Sequence, residues 1–600
     1  MMDTFPIPTP LGPLNMRDNE RVLGQASPGA LVDLLNLDFT EGGLSTRPGF
    51  TAYSGVLVTS KPVMDAREFT TPSGTKILLA ACGTKILKET ATPGVFADFK
   101  TGVTDSALWD SVVIAGLNLW VDGVAADAFK TDGTTVYPWA ITAPTAAPSV
   151  AIAGAGVLTG NRQYKVTFVS KWGAETNAGQ ASAPLALSAQ SVALSSIPLG
   201  GPDVAARRIY CTTTDGAVYF RLAEIPDNTT TSYTDNTSDS DLSTDPEAID
   251  HDTPPPRAEI LWVWKEYVFA VDPDNPTRAW VSHQGFPEIF NRDESEGFYV
   301  EAGRNDGQKM IGLRDIQNTL FLFKETSTWP VFGETPDEFR VAPAPINSEI
   351  GLYHRSIDGL GDGRFVGLHR SGVYVFNGST FARASNRSQD SFQPIIDGLN
   401  PARLKYAKGY FDALSSRYFL DVTESGFSYN NKRLVWDLVR DRWTIYTIKA
   451  NGTLRWNDVL MFPSSQNDGY LHRVGGLNDN GAAIEVIAEW PWWGLWDPDV
   501  LKYIHALLVK ISQQGTYEPT FEVMFDYRSR TYRLRLPEGQ PWGSGAWALQ
   551  GGTYQISQAF PVRRKDVVSL KVRFRHLGLN EPVTLSGLDV TGTPSGRLVA

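Results

Sequence analysis

The chain has little of what site chemistry usually needs. Its 600 residues include two cysteines, Cys82 and Cys211. Two are too few for a disulfide framework, and they lack the clustered Cys/His spacing of a structural zinc site, so both read as buried free thiols. The seven histidines are scattered, with no i, i+4 helical pair and none beside a carboxylate cluster at ligand spacing. No glycine-rich loop ends in Gly-Lys-Ser or Gly-Lys-Thr, and the run from Gly154 to Gly160 has the wrong spacing for a dinucleotide fingerprint and precedes a strand. Asp235 to Asp241 lacks the glycine turn and closing glutamate of a calcium loop, so it reads as a solvated acidic loop. No run of ~18 apolar residues is present to span a membrane. Met1 to Pro10 lacks the basic and apolar regions of a secretory signal, which leads us to expect a chain made and kept soluble in a cytoplasm. No catalytic, cofactor or metal residue is assigned, and the chain reads as non-enzymatic.

Charge is also sparse, at 20% of residues, and its sign is acidic: 54 Lys and Arg against 66 Asp and Glu, a net of -12. That argues against a surface that wraps nucleic acid or anionic lipid as a whole. The charge is divided along the chain. Residues 501–600 hold 13 Lys and Arg against 7 Asp and Glu, whereas Glu224 to Asp306 holds 19 acidic residues against 5 basic ones.

What is abundant is core-forming bulk: 42% hydrophobic residues, with 17 Trp, 21 Tyr and 29 Phe. A chain this long exceeds one core, which points to about three or four domains. The apolar segments are short, β-branched and aromatic, and Gly, Asn or Asp stops them every ten or so residues. Lys76–Cys82, a Gly83-Thr84 turn and Lys85–Glu89 read as a hairpin. Similar phrases recur at Leu261–Ala270, Thr319–Phe323, Gly372–Gly378, Arg417–Asp421 and Arg433–Trp443. Their spacing suits four-stranded propeller blades, about six of them, with a stack of separate sandwiches as the alternative.

Two regions break this rhythm. A Pro- and Ala-rich linker opens a unit whose strands include Gln163–Ser170, Arg207–Thr212 and Val218–Leu222, the texture of a fibronectin-like sandwich of about seven strands. From Val486 onward, strands such as Tyr532–Leu536 and Lys571–Arg575 alternate basic and apolar residues. The expected fold is mostly β: a β-propeller with an inserted fibronectin-like β-sandwich and a C-terminal β-sandwich. The expected boundaries are an extended N-terminal arm or platform over 1–50, first blades over 51–142, the insertion over 143–252, remaining blades over 253–485 and the C-terminal sandwich over 486–600.

Two features are candidates for binding. Trp490, Trp492, Trp493 and Trp496 lie within seven residues and form either an inter-domain seam or an exposed docking surface. Arg533, Arg535, Arg573 and Arg575, with Arg528 and Arg530, give strand faces suited to an acidic partner or simply to solvent. Asp437 and Asp441, between Trp436 and Trp443, read as a hairpin turn rather than as a glycosidase pair.

Near the N-terminus, Gly12–Asn15, Ala30–Asp38 and Gly43-Leu44-Ser45-Thr46-Arg47-Pro48-Gly49-Phe50 resemble the opening of tail proteins of tailed bacteriophages. Tyr164–Gly173 and Arg208–Tyr210 are similar to that family's inserted sandwich, and Leu320–Gly333 and Ser371–Gly378 to its propeller core. The chain thus resembles the tail nozzle, or hub, family of short-tailed phages. The resemblance implies a virion protein, assembled in the bacterial host cytoplasm, that forms a homo-oligomeric ring, expected to be a hexamer. Such a ring docks on the tail adaptor protein, carries tail fibres or a needle, and lets duplex DNA pass without specific binding. An acidic lumen would keep that passage free of friction, so Glu294, Glu296 and Glu301 are expected to face the channel. The alternatives are a peripheral baseplate or fibre-connector protein and a glycan-binding or glycan-cleaving propeller.

Overall fold

The computed structural model describes residues 3–7, 14–18, 20, 22–23, 29–251, 255–293, 297–304, 306–385, 392–494, 500–513, 518–526, 528–533 and 554–597. The protein is a mostly-β chain whose repeated element is a four-stranded antiparallel sheet. Among the described residues five sheets are of this kind, a sixth carries a fifth strand, and a seventh quartet, within residues 408–446, forms the edge of a nine-stranded sheet, so the repeat occurs once more than the expected six; each is built mainly from consecutive hairpins. In the first, Lys76–Cys82 pairs with Lys85–Glu89 so that Cys82 faces Lys85 across Gly83-Thr84. Gly83 has φ +58°, which a glycine adopts at no steric cost.

Later blades repeat the scheme. One runs through Asp110–Ile114, Leu117–Val121, Phe129–Thr131 and Val136–Pro138. Another runs through Lys408–Asp412, Arg417–Val422, Lys432–Asp437 and Arg442–Tyr446. In the latter, Trp436 and Trp443 lie opposite each other, rings 5.5 Å apart and stacked, and Asp441 turns the chain with φ +51°. The hairpin reading of Asp437–Arg442 therefore holds.

The insertion is a sandwich of six strands in two three-stranded sheets. One contains Ser149–Arg162, Leu185–Ser195 and Tyr233–Asp235; the other contains Tyr164–Ser170, Val204–Thr212 and Tyr219–Ile225. Its core includes Tyr164, Val166, Phe168, Ile209 and Cys211. Both cysteines are buried, and neither forms a disulfide.

The chain forms two compact units, residues 69–77 with 99–351, and residues 1–68 with 78–98 and 352–600. In the second of these the N-terminal segment is not a separate arm. Phe50–Ala52 is the fourth strand of the blade formed by Leu454–Trp456, Val459–Pro463 and Leu471–Val474. Leu37–Thr40 and Gly43–Thr46 form a hairpin that pairs with Val583–Arg597 of the C-terminal sandwich. Asp33–Leu35 lies between Arg442–Tyr446 and Val486–Glu489, so the blade and one sheet of that sandwich run on as nine strands. The C-terminal sandwich therefore takes strands from both ends of the chain, and residues 486–600 alone do not complete it. Its apolar side chains share one core with Leu34, Leu37, Phe39 and Leu44.

Candidate functional site: two buried polar junctions

The first junction is made by the N-terminal motif. Asn36 is buried with φ 56°, a left-handed conformation that asparagine tolerates. Its side chain donates to the Glu485 carbonyl at 2.7 Å and accepts from Thr447 N at 2.9 Å and Arg47 Nε at 2.8 Å. The Arg47 guanidinium, wholly shielded from solvent, then grips Asp479 with both terminal nitrogens, at 2.9 and 2.6 Å. Asp38, two residues past Asn36, accepts from Arg417 at 3.0 Å and from the Tyr446 hydroxyl. Burial, and then the Asp38 charge, push that phenol well above its ordinary value. Gly49 passes so close to Asn478 that an added Cβ would lie 2.1 Å from its carbonyl oxygen. A planar, bidentate guanidinium is what such a clasp needs, because it satisfies a carboxylate and an amide from one fixed fork.

The second junction sits in the other unit, at the base of the inserted sandwich. Lys130, in the blade strand Phe129–Thr131, is fully buried. Its ammonium meets Asp203 Oδ2 at 3.0 Å, the Trp139 carbonyl at 3.4 Å and Glu288 Oε1. It also lies 5.0 Å from the centre of the Trp172 ring. Asp203 immediately precedes the sandwich strand Val204–Thr212, and Glu288 lies in Phe286–Phe290 of a later blade. The second oxygen of Glu288 accepts from Ser170 Oγ at 2.8 Å. Ser170 Oγ in turn accepts the backbone N–H groups of Trp172 and Ala174, both at 3.1 Å. Those two bonds occupy its lone pairs and leave its proton for Glu288. Burial raises the Glu288 carboxyl above its ordinary range, and Lys130 only partly offsets it.

The residues singled out in the sequence fall differently. Glu294, Glu296, Trp496 and Arg535 lie outside the described residues, as does the side chain of Arg533. Glu301 ends the strand Tyr299–Glu301, accepts from Thr277 at 2.9 Å and lies 3.8 Å from Arg304. Much of the surrounding acidity is matched inside the chain, Glu224 by Arg208, Asp227 by Arg207, Glu247 by Lys165, Asp274 by Arg257 and Asp306 by Lys324. Asp235 to Asp241 is not a simple solvated loop either. Asp235 is buried against the Tyr164 hydroxyl at 2.8 Å, and Asp239 pairs with Arg162.

Trp490 is a buried core residue. Trp492 and Trp493 are half-buried, and Trp493 exchanges two backbone hydrogen bonds with Leu570. Arg573 and Arg575 do form a strand face, opposed by Glu489 at 3.3 Å and Glu485 at 2.6 Å. Sequence reasoning missed Lys130, Asp203 and Glu288. The available signal was a lone charge in each of two blade strands, Phe-Lys-Thr and Phe-Pro-Glu-Ile-Phe, where burial of neighbours on both sides leaves it no water.

No protein-family model and no curated protein matches the chain. Among solved structures, an exo-β-1,3-galactanase from Phanerochaete chrysosporium is 9% identical over 82% of this chain and 97% of its own, with a TM-score of 0.17. PorZ, a bacterial surface component of the type-IX secretion system of Porphyromonas gingivalis, is 8% identical over 91% of this chain and 86% of its own, with a TM-score of 0.24. Overlap this loose transfers no property to the chain.

Proposed function

We propose that the chain is a structural subunit of a bacteriophage tail, a nozzle or hub protein that forms a ring, docks on an adaptor and extends the DNA-ejection channel. The observation that carries this reading is the first junction. The residues that bear the resemblance, Asn36, Asp38, Arg47 and Gly49, fix the N-terminal segment to Arg417, Tyr446, Thr447, Asn478 and Asp479, while the hairpin between them pairs with the C-terminal sandwich. They are committed to architecture rather than to a substrate. A subunit that withstands internal pressure gains from such cross-chain stapling, because its two ends are locked into one core. On this reading the work of the protein is done by its surfaces and its ring contacts.

The test is negative-stain imaging of the purified protein, alone and mixed with the tail adaptor of the same particle. Rings with a central opening wide enough for duplex DNA, formed alone or on the adaptor, support the proposal. Monomers that never close a ring overturn it and turn attention to the peripheral-connector and glycan-binding readings, which a glycan-array screen separates.

A further inference from the structure

We propose that Lys130 and Glu288 condense to an intramolecular amide, a covalent staple across the base of the inserted sandwich. The argument begins with a charge count. One amine and two carboxyls, Lys130, Glu288 and Asp203, share a pocket in which their side chains are at most 5% exposed. With all three ionised the pocket would bury a net negative charge, which is too costly to keep, so one carboxyl holds a proton. Glu288 is the one that favours this, because its side chain is wholly shielded from solvent whereas that of Asp203 keeps 5% of its surface exposed. What remains is a carboxylic acid in contact with an ammonium, and a carboxylate, Asp203, in contact with the same ammonium.

That arrangement has the parts an amide condensation needs. Asp203 Oδ2, 3.0 Å from Nζ, is placed as the base that frees the amine lone pair. Ser170, whose hydroxyl proton is aimed at Glu288 Oε2, stabilises negative charge on the oxygen that stays as the amide carbonyl. Lys130 is held against Glu288 by the Trp139 carbonyl and the Trp172 ring, so the encounter is intramolecular and already oriented.

The step balances without a co-reactant. Nζ of Lys130 forms a bond to Cδ of Glu288, and the bond from Cδ to the acid hydroxyl breaks. The ammonium gives up two protons: Asp203 relays one to the departing hydroxyl, which leaves as water, and keeps the other. An ammonium, a carboxylate and a carboxylic acid become an amide, a carboxylic acid and water, which removes the penalty of the two buried ions. The bond would close a loop of 158 residues that contains the whole insertion, joining the two blade strands that flank it.

Intact mass of the full chain, denatured after incubation at neutral pH, reads the bond directly. The expected result is a wild-type mass below the sequence mass by one water, with a proteolytic fragment joining the Lys130 and Glu288 peptides, and a K130R chain at its full sequence mass. A wild-type chain at full mass, with the two peptides recovered separately, overturns the proposal. So does a water loss that persists in K130R, because it then belongs elsewhere. The readout needs no native fold, so poor folding of the variant does not blunt it.

Discussion

Single residues hold this protein together where polar groups are buried, and the consequences differ with the group. Arg47 supplies both a bidentate ion pair to Asp479 and a bond to Asn36, with no solvent to replace it. R47A leaves the buried Asn36 amide and the half-buried Asp479 carboxylate unmatched, so it should cost about 3 kcal/mol in equilibrium unfolding, the low end of what breaking a fully buried pair costs. R47K should recover only part of that loss, because an ammonium is not a planar fork. His283 gives the opposite kind of test. Its ring lies 4.7 Å from that of His251 and bonds the Asp250 carbonyl at 3.1 Å. Burial, and then the His251 charge, lower its affinity for a proton. The folded state thus binds this proton less well than the unfolded chain does. Its contribution is intact above the ordinary histidine value of about 6.5 and is lost as pH falls through the lower folded value. H283Q should therefore flatten the decline of Tm between about pH 7 and pH 5. A variant that tracks the wild-type slope across that window would remove His283 from the acid response.

At the scale of elements, the blades were legible because their information is local. A two-residue turn such as Gly83-Thr84 fixes the register of both flanking strands, and aromatic alternation marks their buried faces. The insertion was visible for the same reason, from its Pro-rich entry and its strand texture. The strands over residues 33–52 were not, since each pairs with a partner hundreds of residues away, and nothing in Asp33-Leu34-Leu35 specifies Val486–Glu489. The basic faces were half legible: alternation showed Arg573 and Arg575 sharing one side of a strand, but not that Glu489 and Glu485 stand opposite. The buried triad left least trace, because its members come from two blades and a sandwich. The distant pairing yields its own prediction. Removing residues 1–52 strips Phe50–Ala52 from its blade and leaves Leu471–Val474 as a bare edge. Such an edge recruits other strands, so the truncated chain should self-associate, read as a rise in light scattering at concentrations where the full chain is clear.

At the scale of the whole molecule, two compact units, each with its own cores, give no reason for a single unfolding event. Differential scanning calorimetry should give a calorimetric enthalpy above the van't Hoff enthalpy. A ratio of one would mean that the two units melt as a single cooperative block. Cooperativity bears on synthesis as well. Thr51 finds Arg473 only 422 residues further along the chain, which at ~5–20 residues per second is roughly 20–80 s of translation. Throughout that interval Phe50–Ala52 lacks the strand it pairs with. The nascent chain must carry an adhesive, unpaired end until its last blade emerges, so its vulnerability to misassembly is set by the speed of the ribosome as much as by the stability of the finished fold.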